Sequence, residues 1–280
     1  MFFDSLYEEK YIFVNKFMKH CTIVTTEAIV LKAMKYGDTS KIVTFFTKEF
    51  GKVSAIAKGA RGKKSKFGSA LEPLSYVSLV LYKKDARSLQ LISECSYLQY
   101  FGRTSNRLES LSTALSIMEM LYCATHEEKN EPLFYLVIES LNALQYENNN
   151  ASRTLLSFQL HFAAMLGFRF QLEHCPMCQQ TFSTADSGNK QYSLELHRGG
   201  LLCHSCSKKI SSPFFVSAET LSTLRVLLNR NFHNITEQPL TLQTEKEIAN
   251  VLNNYLRIHI EGFRALRSEQ IFKGAQPIVQ

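Results

Sequence analysis

Ile42-Val43-Thr44-Phe45-Phe46-Thr47, then Lys48-Glu49-Phe50-Gly51-Lys52, then Val53-Ser54-Ala55-Ile56-Ala57 is the stretch on which the fold turns. Its outer parts are short and rich in β-branched and aromatic residues. The middle carries the turn signal Phe50-Gly51-Lys52, so the whole reads as two strands joined by a turn. The same pattern continues on both sides. Ala28-Ile29-Val30-Leu31 precedes it across the turn Tyr36-Gly37-Asp38-Thr39. Val77-Ser78-Leu79-Val80-Leu81-Tyr82 and Leu89-Gln90-Leu91-Ile92 follow, separated by Lys84-Asp85, with Gly59 to Gly62 marking another turn. Five short strands in about eighty residues suit a small closed barrel, and the OB-fold is the commonest five-stranded solution. An SH3-like barrel fits the same pattern, and periodicity alone does not separate the two.

After Gly102 the period changes to that of helices. Ser105 or Asn106 can cap a helix with Leu108, Leu111, Leu115, Met118 and Leu121 on one stripe. Pro132 opens a second, with Leu133, Leu136, Val137, Leu141 and Leu144 inward. Asn148-Asn149-Asn150 breaks the chain before a third, where Leu155, Phe158, Phe162 and Leu166 recur. A short helix over about 217–229 and a long one over 244–268 follow, the long one with Ile248, Leu252, Tyr255, His259 and Phe263 in register. These stripes read as core. The expected architecture is α+β and multidomain. An extension occupies residues 1–21, an OB-fold barrel 22–104, and an α-helical domain 105–280 with a zinc ribbon at about 172–210.

The 280 residues suit two or three modules, and 45% hydrophobic with 20% charged residues is an ordinary globular composition. No run approaches the ~18 consecutive apolar residues of a membrane span. Met1 to His20 lacks the unbroken apolar stretch of ~7–15 residues that a secretory signal needs. The chain is therefore expected in the cytoplasm, with no membrane partner. Seven cysteines without a signal argue against a secreted disulfide framework. Cys21, Cys95 and Cys123 are scattered among apolar neighbours and read as small buried or half-buried hydrophobes.

The other four cysteines form the strongest local signal. Cys175-Pro176-Met177-Cys178 and Cys203-His204-Ser205-Cys206 are two CxxC knuckles. Four thiolates so arranged can close a tetrahedral site around Zn²⁺ at ~2.3 Å per bond. The stretch between them holds a turn at Asp186-Ser187-Gly188-Asn189, an alternating strand from Tyr192 to His197, and a turn at Gly199-Gly200, as a zinc ribbon would. With four cysteine ligands no position is left for water, so the expected zinc, one per chain, is structural. His174 and His204 flank the knuckles as alternative ligands.

Charge is distributed unevenly. From Thr22 to Arg107 there are 15 Lys and Arg against 6 Asp and Glu, a local balance of +9 within a whole-chain net of +7. The excess therefore belongs to the barrel and points to a polyanionic partner for it. Lys58, Arg61, Lys63, Lys64 and Lys66 crowd one glycine-containing loop. Lys32 and Lys35 lie beside the preceding strands, together with Lys41, Lys48 and Lys52, and Lys83, Lys84 and Arg87 on the next turn. With Tyr36, Phe67, Tyr76 or Tyr82 available to stack on bases, these cations make a single-strand platform; the plainer reading is a solvated lysine surface. Gly62-Lys63-Lys64-Ser65 resembles the end of a phosphate-binding loop but lacks its spacing. No hydrolase elbow or metalloprotease motif is present, so a binding protein is expected, not an enzyme.

At this point the motifs resemble a known family. Thr26-Glu27-Ala28-Ile29-Val30-Leu31, Tyr36-Gly37-Asp38-Thr39-Ser40-Lys41-Ile42-Val43, Thr47-Lys48-Glu49-Phe50-Gly51-Lys52, Ala57-Lys58-Gly59-Ala60-Arg61 and Leu71-Glu72-Pro73-Leu74 are similar to the amino-terminal domain of the RecO family of recombination mediators. Cys175-x-x-Cys178 with Gly199-Gly200-x-x-Cys203-x-x-Cys206 resembles that family's zinc element, and Tyr255 to Ser268 its closing helix. The resemblance runs in order from about Thr25 to Phe272. Asp38 and Glu72 stand where Glu and Gln are expected, and residues 1 to about 20 precede the usual start, with Met18 an alternative initiator.

The resemblance implies an OB-fold joined to a helical, zinc-bearing domain in a DNA repair protein associated with the nucleoid. It implies binding of single- and double-stranded DNA, annealing of complementary strands, and a complex with RecR. That complex helps RecA, an indirect partner, to replace single-strand-binding protein on DNA. It also suggests that the acidic, hydrophobic-ended tail of single-strand-binding protein docks on the helical part. Arg153, Arg169, Arg257 and Arg264 are the candidate contacts there. Competing readings are a zinc-ribbon accessory factor that holds RNA or a polymerase, and a nucleic-acid hydrolase with an unrecognised site.

Overall fold

The structure, a computed structural model, describes residues 22–84, 86–102, 108–146, 150–182, 191–229 and 240–263. The expected extension at 1–21, the cap at Ser105 or Asn106, the turn at 186–189, Cys21 and Arg264 lie outside these residues. The chain divides into two compact units. One is Met1–Tyr100 with Thr125–Asn130, the other Phe101–Ala124 with Glu131–Gln280.

In the first unit, strands β1 (Thr22–Tyr36), β2 (Ser40–Thr47), β3 (Gly51–Ala57), β4 (Ser75–Lys83) and β5 (Leu89–Tyr100) close a barrel in the order β1-β2-β3-β5-β4. Pairing is antiparallel except between β3 and β5, which run parallel through Ser54–Leu89, Ala55–Gln90 and Ile56–Leu91. That five-stranded order is the OB-fold, and it removes the SH3-like alternative. Alternation is cleanest in β3, where Gly51, Val53, Ala55 and Ala57 are buried between half-buried neighbours. Ala28, Val30, Val43, Phe45, Val77, Leu79, Leu81 and Ile92 complete the core. The β3–β4 connection adds Ala60, Phe67, Ala70 and Leu71 to it.

β1 extends well beyond Ala28–Leu31 because it serves two neighbours. It pairs with β4 along Thr22–Ile29 and with β2 along Ala28–Tyr36, and a register shift after Val30 redirects it. Its outer half, Lys32–Tyr36, mixes two lysines with Ala33, Met34 and Tyr36 and gives no continuous apolar signal.

Gly51 opens β3 with φ +63°, and a Cβ there would stand 2.2 Å from the Glu128 carbonyl oxygen and 2.6 Å from that of His126. The segment Thr125–Asn130 lies against this turn, and Lys52 N–H donates to the His126 carbonyl at 2.8 Å. Any side chain at position 51 must push backbone aside while holding a left-handed conformation. Gly51→Ala is therefore expected to cost about 2–5 kcal/mol, read as a lowered urea midpoint. An unchanged midpoint would contradict this packing.

The second unit contains helices α1 (Leu108–Ala124), α2 (Glu131–Ala143) and α3 (Ala151–Met165). A small sheet and two further helices follow: β6 (Gln191–Glu195), β7 (Gly200–Leu201), α4 (His204–Ser207), β8 (Phe214–Ser217), α5 (Ala218–Asn229) and α6 (Leu242–His259). α3 is the centre of this unit, touching α1, α2, α5 and α6. It is buried around its circumference, as a helix enclosed by others must be. Asn150 caps it by accepting from Arg153 N–H at 3.1 Å. Ser217 Oγ accepts from Thr220 N–H at the start of α5, and the Glu247 carboxylate on α6 accepts from the Ser217 hydroxyl at 2.8 Å.

Two sequence expectations need correction. α1 buries Met118 and Leu121 as expected, but its inward face is rotated from the expected stripe: Leu108 is 51% exposed and Leu111 and Leu115 are half-buried, while Ser110, Thr113, Ala114 and Ile117 are buried. Small residues on that face admit close approach of α3, and Thr113 Oγ1 donates to the Ala151 carbonyl at 3.4 Å. The last helix ends at His259, not Ser268. Ile260 is extended at φ −110° and ψ 112°, and Gly262 has φ +74°. Phe263 reaches the core from beyond the helix.

Candidate metal centre and nucleic-acid interface

The two knuckles converge. The sulfurs of Cys175, Cys178, Cys203 and Cys206 all lie within 4.8 Å of one another, with Cys178 and Cys203 3.6 Å apart. Tetrahedral metal–sulfur bonds of ~2.3 Å require sulfur separations of about 3.8 Å, so the set fits one ion. Local hydrogen bonding shapes each loop: Gln179 N–H donates to the Cys175 carbonyl at 2.8 Å and Ser207 N–H to that of Cys203 at 2.9 Å. Leu202, Met177, Phe182 and Ile210 wrap the sulfurs in apolar side chains.

Burial pushes the Cys175 thiol up, but the backbone N–H groups of Cys203, Met177 and Cys178, with the Cys178 thiol, outweigh it and bring it down to about 6. Cys206 is pushed up to about 12, first by the Cys203 side chain and then by burial. One thiolate forms readily and a further one resists, the imbalance that a central dication relieves. His174 is exposed and shares a hydrogen bond with Thr181 Oγ1 at 3.2 Å, and His204 is exposed, so neither joins the sulfurs. Of the scattered cysteines, Cys95 is buried, and burial pushes its thiol up to about 12. Cys123 is exposed, contrary to its reading as a half-buried hydrophobe.

On the barrel, the outward residues of successive strands form two ladders. Lys32, Thr44, Ser54 and Leu89 are cross-strand neighbours in one; Met34, Ile42, Ile56, Leu91, Tyr82 and Ile23 continue the other around the wall. The second ladder is apolar, and Met34 is 52% exposed. Cations border it at both ends of the strands. At one rim, Lys35, Lys58, Arg61, Lys63, Lys64 and Lys66 are exposed around the β1–β2 turn and the β3–β4 loop. Arg61 joins these two loops, its N–H donating to the Thr39 carbonyl at 2.8 Å and its Nη1 to the Gly37 carbonyl at 2.9 Å. Lys66 Nζ donates to the Ser93 carbonyl at 2.5 Å.

At the other rim, Lys83, Lys84 and Arg87 are half-buried on the β4–β5 turn. Gln90 stitches that turn, accepting from Lys84 N–H at 2.8 Å and donating to the Arg87 carbonyl at 2.6 Å. A cleft of about 290 Å³ opens beside it, bordered by Phe50, Ser54, Lys83, Arg87, Gln90 and Lys129. Of the aromatic candidates, Tyr36 is exposed and Tyr82 half-buried. Phe67 is 4% exposed and belongs to the core, because its ring plugs the barrel from the β3–β4 loop. The half-buried Tyr76 donates its hydroxyl to the Glu27 carboxylate.

Comparison with known proteins assigns both units. A family model described as the N-terminal part of recombination protein O matches residues 18–101, and one for its C-terminal part matches residues 105–269. The chain belongs to the RecO family. It is 31% identical to the DNA repair protein RecO of Salinibacter ruber over 264 residues, covering 93% of this chain and 98% of that one. It is likewise 31% identical to the RecO of Chloroherpeton thalassium, covering 88% and 96%. Membership gives this chain a role in DNA repair and recombination. Among the described residues no helix is long and apolar enough to cross a membrane.

On the helical unit of this RecO-family chain, the four arginines proposed to meet a peptide do not share one environment. Arg169 and Arg257 are exposed. Next to Arg169, Phe168 packs against His259 at a tilt, with ring centroids 5.0 Å apart, and His259 follows Arg257 by two residues on α6. Met165 and Ile258, from the same two segments, are also exposed. Arg153 is only 7% exposed, held in the first turn of the enclosed helix α3, so the rim contact expected of it is withdrawn. Sequence reasoning also missed the outer ladder of the barrel and Lys129, which borders the cleft from a segment distant in sequence. Strand register was the missing information for the ladder: only the pairing of Ile42 with both Met34 and Ile56 brings those side chains together.

Proposed function

We propose that the barrel wall binds single- and double-stranded DNA, with phosphates on the two cationic rims and unstacked bases on the apolar ladder. The observation that carries this is the ladder Met34–Ile42–Ile56–Leu91 between rims that hold Lys58, Lys63 and Lys64 on one side and Lys83, Lys84 and Arg87 on the other. Cations that neutralise backbone charge lower the repulsion between two strands, so the same surface promotes annealing of complementary DNA. Binding alone accounts for this work, and no bond is made or broken. With RecR, the protein helps RecA replace single-strand-binding protein, in the cytoplasm at the nucleoid.

The metal is Zn²⁺, one per chain and structural, because four sulfur ligands complete its preferred tetrahedral shell. It would hold the two knuckles of the ribbon together. The acidic tail of single-strand-binding protein docks on the helical unit, where Arg169 and Arg257 accompany the exposed Phe168, Met165 and Ile258. The rival reading, an accessory factor for RNA or a polymerase, differs in nucleic-acid preference. In fluorescence anisotropy, single-stranded DNA is expected to bind at least as tightly as RNA of the same sequence. Clear preference for the RNA would favour the rival.

A further inference from the structure

Three separate stretches of chain, all in the first unit, border the cleft of about 290 Å³: the β2–β3 turn, the end of β4 with the turn after it, and Thr125–Asn130. The last is positioned by its close approach to Gly51 and by the Lys52 N–H bond to the His126 carbonyl at 2.8 Å, and it supplies Glu127 and Lys129. Val53 and Gln90, 6% and 7% exposed, are the most buried lining residues. Lys83 Nζ stands over the Phe50 ring, 5.3 Å from its centroid, so an ammonium and an aromatic ring meet at one wall. The charges are mixed: Lys83, Arg87 and Lys129 are set against Glu49 and Glu127. Carboxylates repel a run of phosphates, so a surface that only tracked a DNA backbone would not place two of them here. A volume near 300 Å³ is the lower end of small-ligand pockets, room for one compact molecule.

We propose that this cleft binds a single nucleoside monophosphate, its phosphate among Lys83, Arg87 and Lys129 and its base against Phe50. A terminal phosphate carries about −2 near neutral pH, against about −1 for each phosphate inside a strand, so clustered cations favour it. The base explains what a bare anion would not. Its amino and ring N–H groups donate to carboxylates such as Glu127, and its face packs on an aromatic ring. Two sources offer this chemistry: the 5′-phosphorylated end of a DNA strand and the free mononucleotide. The first rests on the DNA-binding reading of the barrel, and the second does not. An acidic peptide is the poorer occupant, because it brings further carboxylates to Glu49 and Glu127 without a base to accept from.

The test uses the full chain with dAMP, deoxyadenosine and deoxyribose 5-phosphate, read by hydrogen exchange at amides of residues 50–54, 86–90 and 126–130. At about 1 mM, dAMP is expected to slow exchange there severalfold, while deoxyadenosine and the sugar phosphate bind about tenfold more weakly or worse. Lys129→Gln should weaken dAMP by about tenfold with circular dichroism unchanged. Two oligonucleotides of one sequence, 5′-phosphorylated and 5′-hydroxyl, then separate the sources. Tighter binding of the phosphorylated one, with the difference removed by Lys129→Gln, identifies the strand end. Equal binding of the two, with dAMP still protecting the cleft, identifies the free nucleotide. Protection by the sugar phosphate equal to that by dAMP would reduce the site to an anion site and overturn the proposal. So would equal protection by a Glu-rich peptide, or no protection at about 10 mM dAMP. The 5′-hydroxyl oligonucleotide checks the barrel wall independently: if it binds while dAMP leaves the cleft unprotected, the pocket fails and the DNA-binding wall stands.

Discussion

Replacing Cys203 with Ser is expected to unfold the ribbon around the sulfur cluster while the barrel keeps its fold. A structural zinc site contributes on the order of 10–16 kcal/mol in small peptides, far more than the few apolar side chains packed at the sulfurs can supply. Among the described residues, Leu202, Met177, Phe182 and Ile210 are the apolar side chains packed at the sulfurs. The second unit should feel the loss where the ribbon meets α6. A Cβ on Gly199 would stand 2.6 Å from the Tyr255 hydroxyl, and His259 Nε2 lies 2.8 Å from the Leu196 carbonyl, so the turn after β6 is fitted tightly to the helix. The first unit shares no residue with this region. Metal analysis of purified protein should give about one equivalent of zinc, and limited proteolysis should cut the variant between the knuckles. Less than about half an equivalent, or a variant as protease-resistant as the parent, would contradict the assignment.

Lys58→Ala, Lys63→Ala and Lys64→Ala together are expected to weaken single-stranded DNA binding by roughly 100-fold at about 0.1 M salt. Each phosphate contact contributes about −0.7 to the slope of log K against log salt, so three flatten the slope by roughly 2. These three are chosen because Arg61 and Lys66 also hold backbone carbonyls of their own fold, at Gly37 and Ser93. Removing Arg61 would loosen the loop as well as remove charge, and the two effects could not be told apart. Loss of affinity with an unchanged slope would mean that the lysines act through folding and not through phosphates.

What sequence revealed and what it hid follow from different physics. The strands around Phe45 and Ala55 were legible because alternation and turn residues are local properties, and the knuckles because ligand spacing is. The lengths of β1 and β5 were not: residues such as Lys32, Lys35, Ser96 and Gln99 extend the ladders without an apolar signal. The inward face of α1 was misread since periodicity weighs Leu108 above Ser110 and Thr113, whereas close helix packing favours the smaller residues. Arg153 was taken for a surface cation because the enclosure of α3 comes from helices far along the chain. The basic loop was legible as charge. Its division between cations tied to the loop's own geometry and cations standing free of such roles came only with the coordinates of Gly37 and Ser93 relative to it.

The claim that matters most is that this RecO-family chain handles DNA strands. Complementary single strands coated with single-strand-binding protein should be mixed with the full protein, with and without RecR, and duplex formation followed with time. Annealing is expected to accelerate on addition of the protein alone, and the Lys58, Lys63, Lys64 triple variant to lose most of that acceleration. Annealing no faster than the uncatalysed mixture, or a triple variant as active as the parent, would contradict it.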